Sequence, residues 1–170
     1  MAIFHQQFAL KGNLVTLRNP GPEEAAAMVE LVNQYDVETK FLTREPGEFE
    51  MTEEEERAFL QRVKDDDNSL FIAAEMDGKL VGSSSVFIGR RRRYRHSAEL
   101  GIALRKDYWG IGLGKTMMHV MLSWLKERNI ERVNLLVSTD NFRAVSLYMR
   151  MGFVVEGTIR HEVKFADGTY

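Results

Sequence analysis

The sequence predicts one α/β domain, a mixed and mostly antiparallel central sheet flanked by helices. Three observations carry this. Short apolar or alternating runs recur between turn-forming residues. In the first half, two helical stretches precede strands joined through Asp77-Gly78, a hairpin signal. In the second half strand and helix alternate, the order of a crossover connection. A chain of 170 residues, 44% hydrophobic and 28% charged, suits a single domain with a core.

Leu14–Arg18 alternates and stops at Asn19-Pro20-Gly21-Pro22, so it reads as a strand. Pro22 fits a first helical turn, and a helix follows over Glu23–Gln34, with Ala26, Val29 or Glu30, and Asn33 at helical spacing. Tyr35–Glu50, with Pro46 and Gly47, reads as an ordered loop or a broken helix. Thr52 and Glu55 have capping-box spacing and start a helix running to about Lys64. Leu70–Met76 and Leu80–Ile88 form the hairpin, Arg90–His96 is a charged connection, and Ser97–Leu104 is the next strand.

Tyr108–Gly114 is glycine-rich, and Met117, Met118, Met121, Leu122, Trp124 and Leu125 then recur at helical spacing until Asn129. Arg132–Val137 reads as a strand, Asn141–Met151 as a helix ended by Gly152, and Phe153–Phe165 as a long strand before a turn at Asp167-Gly168. With no repeat or linker, residues 1–170 are expected to form one domain.

The net charge of -2 predicts neither a nucleic-acid coat nor a membrane surface as partner. No cysteine is present, which removes disulfides, thiolate metal sites and a cysteine nucleophile, and fits a cytoplasmic location. The four histidines, His5, His96, His119 and His161, lie far apart, so no metal is expected. Met1–Leu10 lacks the pattern of a signal peptide, and no apolar run approaches the ~20 residues that span a bilayer.

Trp109-Gly110-Ile111-Gly112-Leu113-Gly114-Lys115-Thr116 lies between a predicted strand and an amphipathic helix. Glycines let a backbone approach a ligand, and free amides at a helix start attract phosphate. A P-loop needs glycine where Trp109 stands, and the dinucleotide fingerprint needs glycine where Lys115 stands. The alternative is a tight turn with no ligand.

Glu99-Leu100-Gly101-Ile102-Ala103-Leu104 and Tyr108–Gly114 together resemble the acetyl-CoA motif of the GNAT superfamily of N-acetyltransferases, Arg/Gln-x-x-Gly-x-Gly/Ala. Asp140–Phe153 resembles the family's second signature, Asn-x-x-Ala-x-x-Leu-Tyr-x-x-x-Gly-Phe. Val155–Arg160 and Asp167–Tyr170 are similar to the branch of ribosomal-protein N-terminal and polyamine acetyltransferases. The resemblance implies a splayed strand pair holding acetyl-CoA. It assigns cofactor contacts to Ile102, Ala103, Leu104, Gly110, Ile111, Gly112, Leu113, Gly114, Lys115, Asn141 and Ala144.

Two departures stand out. Trp109 occupies the family's Arg or Gln position, so a phosphate contact is lost unless Lys115 or backbone amides replace it. Family members also continue into a last strand that pairs inside the sheet. The resemblance therefore implies a sheet left short after Tyr170, or an edge completed another way.

By resemblance, Asn141 bonds the pantetheine arm and Tyr148 donates to the leaving sulfur. Seven residues apart on a helix, they share a face, and a phenol's pKa near 10 suits a thiolate. The other reading of Tyr148 is a core aromatic. Glu99 is the candidate base, on the strand face it shares with Gly101 and Ala103. Burial would raise its pKa, and an ion pair with Arg93 or Arg95 is the alternative. His96 is a second candidate base, and His119 reads as a packed or edge residue.

Arg90–Arg93 with Arg95 reads as a solvated hairpin end rather than an RNA or acidic-substrate contact. Glu53–Glu56 and Asp65–Asp67 read as helix-end charges, with attraction of a cationic amine as their functional alternative. The expectation is thus an acetyl-CoA-dependent N-acetyltransferase acting on a peptide or small-molecule amine. The alternatives are a P-loop protein and a non-catalytic module that binds acetyl-CoA or RNA. The acceptor stays open in the sequence, and so does a homodimer.

Overall fold

The structure is a computed structural model and describes residues 4–170. Residues 1–3 of the Met1–Leu10 segment lie outside the described residues. The chain runs β1 (His5–Leu10), β2 (Asn13–Arg18), a 3-10 turn at Pro22–Glu24, α1 (Ala25–Glu38), α2 (Glu53–Asp65), β3 (Ser69–Met76), β4 (Lys79–Ile88) and β5 (Ser97–Leu104). It then forms a 3-10 turn at Lys106–Tyr108, α3 (Leu113–Glu127), β6 (Arg132–Asn134) and α4 (Phe142–Arg150). The six strands form one open sheet in chain order. All neighbours are antiparallel except β5 and β6, which are parallel across the α3 crossover. The mixed α/β class and the crossover are as expected.

Local chemistry fixes the helix starts. The Glu55 N–H donates to Thr52 Oγ1 at 3.2 Å and the Thr52 N–H donates to Glu55 Oε2 at 2.8 Å, closing the capping box. Acidic residues fill the first turn of α2, and Arg62 and Lys64 lie in its last, matching the helix dipole. Alternation along β3 splits the core. Leu70, Ile72 and Ala74 meet Met117, Met118, Met121 and Leu125 of α3 on one face, while Ala73 meets Met28, Leu31 and Tyr35 of α1 on the other.

One strand is added and three expectations are corrected. The opening strand β1 carried no reading in the sequence; its residues are largely exposed and gain their order by pairing with β2 along its whole length. Helix α1 continues to Glu38 and buries Ala25, Met28, Leu31 and Tyr35, whereas Ala26, Glu30 and Asn33 are exposed. The strand expected over Arg132–Val137 ends at Asn134. Phe153–Phe165 forms no strand: no described strand lies beside it, so its backbone has no ladder, and Val154 and Val155 are 78% and 72% exposed. The turn at Asp167-Gly168 does form, with the Phe165 N–H bonded to the Thr169 carbonyl at 2.8 Å.

Candidate active site

The site begins where two strands part. Pairing of β5 with β6 covers Ser97–Glu99 against Arg132–Asn134 and goes no further, although β5 continues to Leu104. From Leu100 onward the β6 side of β5 is therefore open, and a cavity of about 890 Å³ fills the space. Leu100–Leu104 line one wall, Leu136 and Val137 the diverging chain, and Gly110, Gly112, Gly114 and Lys115 one end. Asn141, Arg143, Ala144, Leu147, Tyr148 and Arg150 come in from the α4 region. Residues from α1 and the loop after it, with Phe71 and Ser83–Ser85, line the opposite side. The size falls in the usual range for small-molecule sites.

The glycine loop has the shape that an anion cradle needs. Gly110 and Gly112 adopt φ of +80° and +97°, which side-chain-bearing residues rarely tolerate. Gly112 caps α3, so the N–H groups of the first turn have no partner within the helix. A Cβ built on Gly112 would meet nothing within 4 Å, so this face of the loop is open to a ligand. Trp109 anchors the loop to β5, its Nε1–H donating to the Leu104 carbonyl at 2.9 Å. The Arg143 guanidinium lies 5.5 Å from the centroid of the Trp109 ring. Its Nη1 is 3.5 Å from where a Cβ on Gly110 would stand. The Lys11 Nζ donates to the Gly110 carbonyl at 2.8 Å from the β1–β2 turn. Sequence spacing had singled out neither Arg143 nor Lys11; both reach the loop only through folding.

Asn141 is the N-cap of α4, its Oδ1 accepting from the Ala144 N–H at 3.2 Å. Its amide Nδ2 keeps two protons to donate. Tyr148 lies two turns on, packs against Phe153 with ring centroids 5.9 Å apart, and lines the cavity. Burial pushes its phenol pKa up. Of the sequence-predicted cofactor residues, Ile102, Ala103, Leu104, Gly110, Gly112, Gly114, Lys115, Asn141 and Ala144 line this cavity. Ile111 and Leu113 do not, since both pack into the core beneath the loop.

Glu99 stands apart. Its strand face is the predicted one, opposite Phe87 and beside Asn134, but the residue is exposed and does not line the cavity. The burial expected of it is absent, and among the described residues it makes no ion pair with Arg93 or Arg95. His96 and His119 are exposed and line no part of the cavity. Arg90 pairs with Asp66 at 2.9 Å, and Arg91–Arg93 and Arg95 are exposed at the hairpin end.

The sequence pattern of the Acetyltransferase (GNAT) family matches residues 28–153. Over 102 residues the chain is 29% identical to the L-amino acid N-acetyltransferase of Escherichia coli, covering 58% of this chain and 61% of that protein. It is 27% identical over 124 residues to spermidine N(1)-acetyltransferase of Vibrio cholerae, covering 72% of this chain and 69% of that one. A solved acetyltransferase of the GNAT family from Streptococcus pneumoniae superposes with a TM-score of 0.86 at 31% identity. That match covers 92% of this chain and 94% of the other.

Proposed function

Since the chain belongs to the acetyltransferase (GNAT) family, we propose that it transfers acetyl from acetyl-CoA to a primary amine by direct attack, as an N-acetyltransferase. One observation carries the reading: the stretch of β5 beyond its pairing with β6, the open glycine loop, Asn141 and Tyr148 all border one cavity.

Each residue has a part that follows from its chemistry. The amides at the start of α3, with Lys115 and Arg143, hold the diphosphate. The backbone of Ile102–Leu104, paired with β4 on one side and without a strand partner on its β6 side, pairs there with the amide-bearing pantetheine arm, and Asn141 Nδ2 donates to it. The neutral amine nitrogen bonds to the thioester carbon while the carbon–sulfur bond breaks. Tyr148 gives its proton to the departing sulfur. The amine loses its extra proton through water to Glu99, which shares a strand face with Gly101 about 6.6 Å along the strand. The phenolate then regains a proton through water.

The test is thermal unfolding with acetyl-CoA, ATP or NAD, followed by thiol release across a panel of amines. Acetyl-CoA at a hundred times its Kd should stabilise by about 2.7 kcal/mol. Equal stabilisation by ATP rejects the cofactor assignment. Binding without thiol release from any amine makes the chain a non-catalytic acetyl-CoA binder.

A further inference from the structure

The wall of the cavity formed by α1, the loop after it, β3 and β4 is uncharged and largely apolar. Tyr35, Phe41, Leu42 and Phe71 provide apolar surface there, and Ser83 and Ser85 provide hydroxyls, with the Tyr35 hydroxyl 3.4 Å from Ser83 Oγ. Among the described residues, the charged ones that line the cavity are Lys115 and Arg143 at the glycine-loop end and Arg150 on α4, and no carboxylate lines it.

Of the carboxylates near this wall in the chain, Asp36 and Glu38 are neutralised, Glu45 accepts from the Ala166 N–H at 3.1 Å, and Glu99 is exposed outside the lining, within reach of the amine only through water. The Asp36 side chain is fully buried and accepts from Arg44 Nε at 3.0 Å and Nη2 at 3.1 Å. Glu38 accepts from Arg105 Nε at 3.1 Å and from the Lys106 N–H at 2.7 Å. The acidic runs do not reach the site either: Glu53 pairs with Arg57, Glu55 caps α2 and Asp66 pairs with Arg90.

A polyamine that loses one proton to become a nucleophile keeps at least one ammonium. On this wall that charge would face Tyr35, Phe41, Leu42 and Phe71 and no lining carboxylate among the described residues, and a desolvated unpaired charge is strongly unfavourable. A monoamine becomes neutral at the moment of attack and leaves no charge behind. Resting on the N-acetyltransferase reading, we infer that the acceptor is a monoamine whose body beside the reacting nitrogen is uncharged and apolar. Neutral α-amino amides and N-terminal residues with aliphatic or aromatic side chains belong to this class.

The experiment measures kcat/KM by thiol release for leucinamide, phenylalaninamide, glycinamide and spermidine, with acetyl-CoA affinity measured separately by calorimetry. Leucinamide and phenylalaninamide should exceed glycinamide by about tenfold or more, the usual worth of filling an apolar pocket, and should exceed spermidine by a wider margin. Thr43→Glu adds a carboxylate at an exposed cavity-lining position. It should raise kcat/KM for spermidine relative to leucinamide by about tenfold, the effect of one close opposite charge. Faster turnover of spermidine than of both apolar amides by the unaltered protein, with acetyl-CoA bound, overturns the inference alone. Failure of acetyl-CoA to bind, or of every amine to release thiol, overturns the N-acetyltransferase reading and this inference with it.

Discussion

The guanidinium of Arg143 lies over the indole of Trp109, 5.5 Å from the ring centroid, and this pair brings a cation to a loop whose own sequence lacks one at the expected position. Trp109 stands at the Arg or Gln position of the motif that the sequence resembles. Its indole holds the loop to β5 and presents a π face on which a cation from α4 can rest. The two signature segments thus meet side chain to side chain.

Removing that cation should be read in affinity. Arg143→Ala should raise the acetyl-CoA Kd about tenfold, the effect of losing one hydrogen bond to a charged group, while kcat at saturation holds. Added salt should weaken binding to the unaltered protein more than to the variant. Calorimetry at two ionic strengths checks this. An unchanged Kd removes Arg143 from phosphate binding.

Tyr148→Phe keeps the ring packed on Phe153 and removes one hydroxyl. It should lower kcat by roughly 10²–10⁴-fold, the range for a positioned general acid, with acetyl-CoA affinity unchanged. Because burial raises the phenol's pKa, the group stays protonated through the neutral and mildly alkaline range. The rate of the unaltered protein should therefore climb with pH as the amine deprotonates, with no decline from Tyr148 below the ordinary phenol value near 10. Full turnover by the variant would leave Tyr148 a packing residue.

Glu99→Gln should slow the reaction at neutral pH and lose less as pH rises toward the amine's own pKa, where a base adds little. A deficit that stays constant across the pH profile would assign Glu99 a structural part instead.

Stability should respond to acid through Glu24. Its carboxylate accepts from Arg18 Nη1 and Nη2 at 2.6 Å each and from the Gly21 N–H at 2.8 Å. The hydrogen bonds from Arg18 come first among the causes that hold its pKa below the ordinary 4.5. A depressed folded pKa contributes stability that is full above the unfolded value and is lost as pH falls through the folded one. Glu24→Gln should accordingly lower Tm at pH 7 by about 3 °C, corresponding to ~1 kcal/mol. The gap to the unaltered protein should narrow below about pH 4.5, the unfolded value. Thermal scans from pH 7 to pH 3 check both points.

The elements legible in the sequence are those whose signals act within a few residues. Thr52 and Glu55 cap α2 as their spacing predicts. Asp77 and Gly78 take positive φ of 50° and 72° at the hairpin, and Gly112 opens α3 from a left-handed conformation. A cap or a turn is settled by backbone bonds between near neighbours, so these features need no distant partner. The family resemblance likewise rests on contiguous residues, and most of the cofactor residues it assigned line one cavity.

What only the tertiary structure decided are the relations between distant segments. The parting of β5 and β6 after Glu99 and Asn134 depends on where two strands stop pairing, which neither strand encodes alone. Phe153–Phe165 has the residues of a strand but no neighbour to pair with, and a strand without a ladder leaves its backbone groups to water. The buried face of α1 was set by the sheet it packs on rather than by its own weak apolar periodicity. Arg143 over Trp109, Lys11 on Gly110 and Arg44 against Asp36 place charge through folding. Residue spacing reports composition and local periodicity; the electrostatics of a cavity depend on which charges the fold brings to its walls and which it neutralises elsewhere.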